Sequence, residues 1–314
     1  RLWKSMLLLL MQHTTLAQGI DSAESVKYLS EITVVGRSSN LDIQQLPEIV
    51  GTSIYAGKKS SLIVLENVKG NVVNNTMRQV FAKVPGIQVW ESDGSGIQIG
   101  IAARGLSPNR SWEFNVRQNG YDIAADPYGY PEAYYNPPLQ AVQRVEIIRG
   151  QGALQYGPQF GGLLNYVLRN GSELKKILEV QSQQTIGSYA LFNSFHAVGG
   201  KSKKFQYYSF YDHRSGDGYR NNSNFYTNNG YATIGYEIND KIQITAEIMK
   251  SHIRSQQPGG LLDIDLHKDI RKSYRSRNWM DIEWSTQALI AKWKPKPLAE
   301  VEIKIFGVHG DRNL

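Results

Sequence analysis

The sequence predicts an α+β domain followed by the first strands of a transmembrane antiparallel β-barrel. Three observations predict it. Beyond about Lys175 the chain falls into long runs of period-two alternation. The polar connections between those runs are short and long in turn. Residues 51 to 172 instead mix short strand-like and helix-like segments with glycine turns.

The alternation is clearest in KIQITAEI. Ile242, Ile244, Ala246 and Ile248 share one face of an extended chain, and Gln243, Thr245 and Glu247 share the other. An apolar face for lipid and a polar face for the interior is the pattern of a membrane-spanning strand. The connection at Asn239 to Lys241 is short, whereas Arg214 to Asn229 and Ser255 to Asn278 read as long polar loops. A soluble β-sandwich has no reason to sort its loops this way. About seven strands are expected between Lys175 and Leu314. No segment after the N-terminus approaches the roughly 20 apolar residues of a membrane helix, so any crossing must be made by strands.

In the first half, Ser60 to Asn67 reads as a strand and Thr76 to Lys83 as a short helix ended by Pro85-Gly86. Gly96 to Gly105 is a strand followed by a turn. Phe114 to Ile123 is a hairpin, because Asn119-Gly120 supplies the positive φ that a tight turn requires. Val142 to Gly150 is a buried strand, and a last strand follows the glycines after Tyr156.

The N-terminus carries Arg1 and Lys4, then an apolar run from Met6 to Met11, then small residues near Ala17. This is the layout of a secretory signal peptide over residues 1–18, the alternative being a buried N-terminal helix. Residues 19–50 form a polar tether around the β-prone stretch Glu31 to Asn40. That stretch suits either strand addition to another protein's sheet edge or an ordinary edge strand.

Composition narrows the function. There are no cysteines, so disulfides, thiolate metal sites and cysteine nucleophiles are excluded. The net charge of +7 is scattered instead of gathered along one element, which does not favour nucleic acid and suits an anionic ligand or lipid headgroups equally. No Ser-His-Asp arrangement, Walker loop or paired-carboxylate motif is evident, so an enzyme is not expected. Asp263, Asp265 and His267 alternate as metal ligands would, or as one polar strand face. The loop DPYGYPEAYYNPP, Asp126 to Pro138, holds four tyrosines among four prolines. Its rigid aromatic surface suits either a ligand or packing.

The run RVEIIRGQGALQYGPQFGGLLNYVLRN resembles the end of the plug domain in TonB-dependent outer-membrane receptors: an E-x-x-RG step, a Y-G turn, then GG-x-x-N. VPGIQV at Val84 to Val89 and IAARGL at Ile101 to Leu106 match earlier plug motifs, and EITVVG resembles the TonB box. The Asp126 loop is most similar to the ferric-citrate branch, with its PYG-x-P segment. The resemblance implies a plug at 51–172 and the first strands of the family's 22-stranded barrel at 173–314, so the chain reads as an N-terminal fragment. It implies active import of a ferric chelate, favouring ferric citrate, with no resident cofactor. Another siderophore, cobalamin or a glycan is the alternative, and a passive porin or adhesin needs no plug. Implied partners are the TonB–ExbB–ExbD energy-transducing complex, the chelate and outer-membrane lipid.

The resemblance also nominates residues. Glu31, Ile32, Thr33, Val34 and Val35 form the box. Arg104 and Arg149 latch the plug to barrel glutamates. Ser107, Asn109, Arg110, Tyr128, Tyr130 and Tyr134 face the ligand from the upper plug, with Arg271, Arg275 and Arg277 adding charge from a barrel loop. The sequence departs from the family in carrying Asn119 where Asp is usual. It also carries Ala102 and Ala103 where larger residues are usual, so that strand is expected to pack more loosely.

Overall fold

A computed structural model describes residues 43–313, apart from 57–58, 92–95, 97–98, 126–131 and 158; the side chains of Arg110 and Gln151 are also outside the description. The signal segment, the box at Glu31 to Val35 and the loop tyrosines Tyr128 and Tyr130 therefore lie outside the described residues.

The first region is built on a six-stranded mixed sheet. Its order is β1 (Ile43–Gln44), β4 (Lys59–Val64), β9 (Val142–Arg149), β10 (Gly162–Leu168), β7 (Phe114–Gln118), β8 (Tyr121–Asp122). Only β10 and β7 pair in parallel; the other neighbours are antiparallel. Two short hairpins, β2–β3 (Ile49–Val50, Ser53–Ile54) and β5–β6 (Ile87–Glu91, Ile99–Ala103), flank it together with helix α1 (Met77–Phe81). Asn119 at φ +47° and Gly120 at φ +83° make the β7–β8 turn as expected. All five residues of β6 are buried, Ala102 and Ala103 included. The strand expected at Ser60 to Asn67 stops at Val64 and turns into a 3₁₀ segment at Leu65–Asn67.

The second region is one seven-stranded antiparallel sheet in sequence order. Its strands are β11 (Glu179–Gly187), β12 (Leu191–Ser202), β13 (Phe205–Gly216), β14 (Phe225–Asn239), β15 (Ile242–Gln256), β16 (Trp279–Lys296) and β17 (Ala299–Asn313). Its two faces separate as the alternation requires. Ile244 and Ile248 are exposed on one face while Glu247 and Met249 are buried on the other. The strands run further than the sequence suggests, so the first long loop shrinks to residues 217–224. Continued backbone pairing, Gly216 to Phe225, outweighs the polar composition of those positions.

Asp263, Asp265 and His267 lie on helix α2 (Asp263–Lys268), which corrects the strand reading of this stretch. Asp265 Oδ1 accepts from Lys272 Nζ at 2.8 Å, and Tyr274 also donates to this carboxylate. Those bonds hold the Asp265 carboxyl below its usual range and push Lys272 up to about 12. No metal-holding group of three such side chains occurs among the described residues.

One hydrophobic cluster joins the two regions. Ile63, Phe81, Phe114, Val116, Tyr121, Val145 and Leu164 of the first region belong to the same core as Phe195, Phe210, Tyr231, Met249 and Trp284 of the sheet. The first region thus covers the sheet's inner face. Gly162, at φ +137°, starts β10 where an added Cβ would lie 2.3 Å from the Ile148 carbonyl oxygen, so β9 and β10 approach this closely only with glycine there. Gly162→Ala should cost about 2–4 kcal/mol through strain and lost pairing. A lowered urea midpoint for loss of protease resistance would register it, and an unchanged midpoint would contradict this account.

Candidate functional site

The contact between the first region and the inner face of the sheet is the most elaborate polar surface in the structure. At its centre stands the tip of the β7–β8 hairpin. Asn119 Nδ2 donates to Glu247 Oε2 at 2.8 Å, and Tyr231 Oη donates to the same oxygen at 2.7 Å. Asn119 Oδ1 accepts from the Leu168 amide at 2.9 Å, which ties the tip back to its own sheet. Both ends of one amide are used, so the orientation of Asn119 is fixed by its partners. Beside it, Tyr121 stacks on Phe306 with centroids 5.4 Å apart and lies 3.4 Å from the Thr286 hydroxyl. Burial pushes the Tyr121 phenol well above its ordinary pKa, with the nearby Glu247 charge acting in the same direction, so it remains a neutral donor.

A second polar chain lies along the wall. Gln140 Nε2 donates to Asn193 Oδ1 at 2.9 Å, and Asn193 Nδ2 donates to Asp212 Oδ1 at 2.6 Å. Asn229 Nδ2 reaches Asp212 Oδ2 at 3.1 Å, and Ser251 donates to Asn229 at 2.7 Å. Arg214 Nη1 donates to the Val73 carbonyl at 3.2 Å. The wall carboxylates Glu247 and Asp212 are thus both met by neutral amide or hydroxyl donors. Their like charge pushes the Tyr135 phenol up in addition to its complete burial, which is the larger effect.

The nominated residues separate into groups. Ser107 and Asn109 are exposed, and the Ser107 hydroxyl accepts from the Asn109 amide at 3.3 Å. Trp112 Nε1 donates to Glu132 Oε1 at 3.2 Å, and Ala125 N donates to Glu132 O at 2.9 Å. The Trp112–Glu132 bond joins the loop after Arg104 to the base of the tyrosine loop. Tyr134 does not present open surface. It is 2% exposed, accepts a hydrogen bond from Arg312 Nη1 at 2.7 Å and meets the Trp284 ring edge-on. For Tyr134 and the fully buried Tyr135 the structure favours packing over a free ligand surface.

Arg104 and Arg149 gather at one corner, with no barrel glutamate bonded to either among the described residues. Arg104, at φ +59°, has no hydrogen-bond or ion-pair partner among the described residues, and its guanidinium lies against Gly150. Arg149 donates to the Pro85 carbonyl and, at 3.4 Å, to Ser61 Oγ. Burial, then repulsion from Arg104, lowers its pKa. The contact the sequence reading missed is Asn119 with Glu247. Glu247 was visible as a lone acid on an otherwise uncharged polar face, and Asn119 as the departure from Asp.

Two substitutions test this contact. Glu247→Ala removes the carboxylate acceptor that Tyr231 and the Asn119 amide share, leaving between them only the 3.4 Å contact of Asn119 Nδ2 with Tyr231 Oη, and should weaken plug retention by about 2–3 kcal/mol. Asn119→Asp sets two carboxylates in contact; it should weaken retention at neutral pH and recover toward acid pH, where protonation of either restores a donor. Urea-induced channel opening in planar bilayers reads both, and pH-independent behaviour of Asn119→Asp would contradict the contact.

Residues 59–163 match the family model described as the TonB-dependent receptor plug domain. The chain is similar to the ferric citrate transporter FecA in its unliganded form, at 22% identity and a TM-score of 0.68, covering 81% of this chain and 40% of that one. It is also similar to the copper transporter OprC, at 15% identity and a TM-score of 0.61 over 79% of this chain and 36% of that one. A variant of the ferric enterobactin receptor PfeA from Pseudomonas aeruginosa gives 12% identity and a TM-score of 0.60 over 81% and 40%. The chain thus spans at most about 40% of these solved structures. Its fold is thus a plug domain, matched by the family model over residues 59–163, followed by antiparallel strands of a barrel arranged as in these solved structures.

Proposed function

We propose that this chain belongs to a receptor of the outer membrane that imports a ferric chelate with energy delivered through TonB, and that the cargo is ferric citrate. The observation that carries the reading is a plug domain seated by its hairpin tip on the polar inner face of barrel strands. A wall so closely matched to a stopper suits gated import and not passive diffusion. The PYG-x-P loop and the likeness to FecA favour citrate among chelates.

In this reading Ser107, Asn109 and Arg110 contact the chelate from the loop after the Ala-Arg-Gly step, with Tyr128 and Tyr130 on the neighbouring loop. Hydroxyl, amide and guanidinium groups are the donors an anionic chelate requires. Tyr134, held by Arg312, supports that loop from below. Glu31, Ile32, Thr33, Val34 and Val35 serve as the box that pairs with TonB by strand addition, which demands β-prone backbone more than particular side chains. ExbB and ExbD complete the motor. Arg104 and Arg149 form a positive corner for carboxylates from other barrel strands, a suitable use of two guanidinium forks.

Cells lacking their own receptor and supplied with the full-length gene should grow on ferric citrate as sole iron source, and less well on other ferric chelates. Deleting Glu31 to Gly36 should abolish that growth while surface binding of the chelate persists. Growth that ignores the chelate offered, or binding lost together with uptake, would count against the assignment.

A further inference from the structure

A cavity of about 810 Å³ lies at the loop end of strands β13 to β16, and most of its strand lining belongs to the face turned away from the plug, although Gly216 and Phe225 also border it. Its strand residues Ser215, Tyr226 and Arg254 lie opposite one another in the ladder, one position away from the buried Arg214, Phe225 and Ser255, and so point out of the barrel wall. Trp279 shares that outer face, because Arg254 lies over its ring at 4.0 Å. The knot formed by loops 217–224 and 257–278 borders the cavity. Arg220 donates to the carbonyls of Gly259 and Lys272, and Asn222 to those of Gln257 and Asn278.

Level is set by the outward rows beneath it. Ile244, Ala291 and Ile303 lie side by side, as do Ala246, Leu289 and Ile305 one row higher. This is the lipid-facing band, and Ile303 and Ile305 are well exposed on it. Higher still the row becomes Lys250, Ser285 and His309, then His252, Glu283 and Asp311. The cavity stands one row above that, at the long-loop end, where lipid headgroups give way to their sugars. Short turns mark the opposite, periplasmic end.

Its charge is also specific. Among the described residues neither Arg254 nor Arg277 has a carboxylate within ion-pair distance. Asp281, opposite Arg254 in the ladder, is taken by His252 at 2.8 Å. Asp217, the one carboxylate on the lining, accepts from Asn224 at 2.9 Å. A guanidinium stacked on an indole keeps its in-plane N–H donors for an anion. Tyr226 adds aromatic surface, which sugars use through their apolar faces, and Ser215 adds a hydroxyl.

We propose that this outward cavity binds the phosphorylated sugar headgroup of a glycolipid in the outer leaflet, with Arg254 and Arg277 on the phosphate and Tyr226 against the sugar. Trp279 orients Arg254. The strand residues of the site lie on the face opposite the plug, and Arg277, nominated from its sequence for the chelate, is assigned to the phosphate instead.

The test titrates the detergent-purified full-length receptor with a bisphosphorylated diglucosamine lipid, its dephosphorylated form, phosphatidic acid and free glucosamine phosphate. The phosphorylated glycolipid should bind at least about tenfold more tightly than each of the other three, the scale expected from charge-assisted contacts. The R254A/R277A double variant should lose that preference while its barrel still migrates as a heat-resistant fold. Ser215→Trp, which fills the cavity and leaves both arginines, should lose it too and serves if the double variant fails to assemble. Equal binding of phosphatidic acid would remove the sugar from the proposal. Equal binding of free glucosamine phosphate would remove the lipid. A preference retained in Ser215→Trp would overturn the site.

Discussion

A β-strand sends successive side chains to opposite faces, so a wall one strand thick cannot face lipid on one side without committing its other side to something else. In strands β11 to β17 the committed side carries Asn193, Asp212, Asn229, Glu247, Ser251 and Thr286, all buried. Buried polar groups stay in place only when hydrogen-bonded, and buried charges only when well met. The plug is what meets them, and through Phe195, Phe210, Tyr231 and Trp284 it also shares the wall's apolar core. Plug and wall each supply partners the other's buried groups need.

The hairpin tip shows how sharply that dependence is drawn. Asn119 donates to Glu247 and accepts from Leu168, a division of labour that suits the two ends of an amide. An ionised Asp, usual in the family that the plug motifs resemble, has no donor to offer Glu247. Gly120 suits its φ of +83°, a backbone conformation that L side chains rarely adopt. Sequence departure and wall chemistry thus explain each other: where the wall offers an acid, the turn offers an amide.

Much of this was legible because it depends on local rules. Period-two alternation located the barrel strands and assigned Ile244 and Glu247 to opposite faces; the Asn-Gly pair located the tight turn. The strand limits at Gly216 and Phe225 were not legible, since Arg214, Ser215 and Gly216, and Thr227 to Asn229 opposite, read as loop residues that ladder pairing keeps extended. Asp263 to His267 alternate like a strand, yet six residues closed by Asp265 and Lys272 form a helical turn, a matter of loop contacts that periodicity does not encode. Tyr134 could be ligand surface or packing from its sequence, and its partners Trp284 and Arg312 are some 150 residues or more further along the chain. The Asn119–Glu247 contact was hidden for the same reason: each partner was visible, but not their meeting.

The plug is also held by unlike means at different points. A buried ion pair is expensive to break, because each partner is left as an uncompensated charge. The tip avoids that: Glu247 is met by a neutral amide and a neutral phenol, so withdrawing Asn119 leaves the carboxylate still bonded to Tyr231. Gln140 on Asn193 and Arg214 on the Val73 carbonyl are likewise contacts in which at least one partner is uncharged. The exception is the corner where Arg104 and Arg149 lie together, two like charges with no acid between them among the described residues. Two repelling cations close together weaken local folding unless an anion joins them.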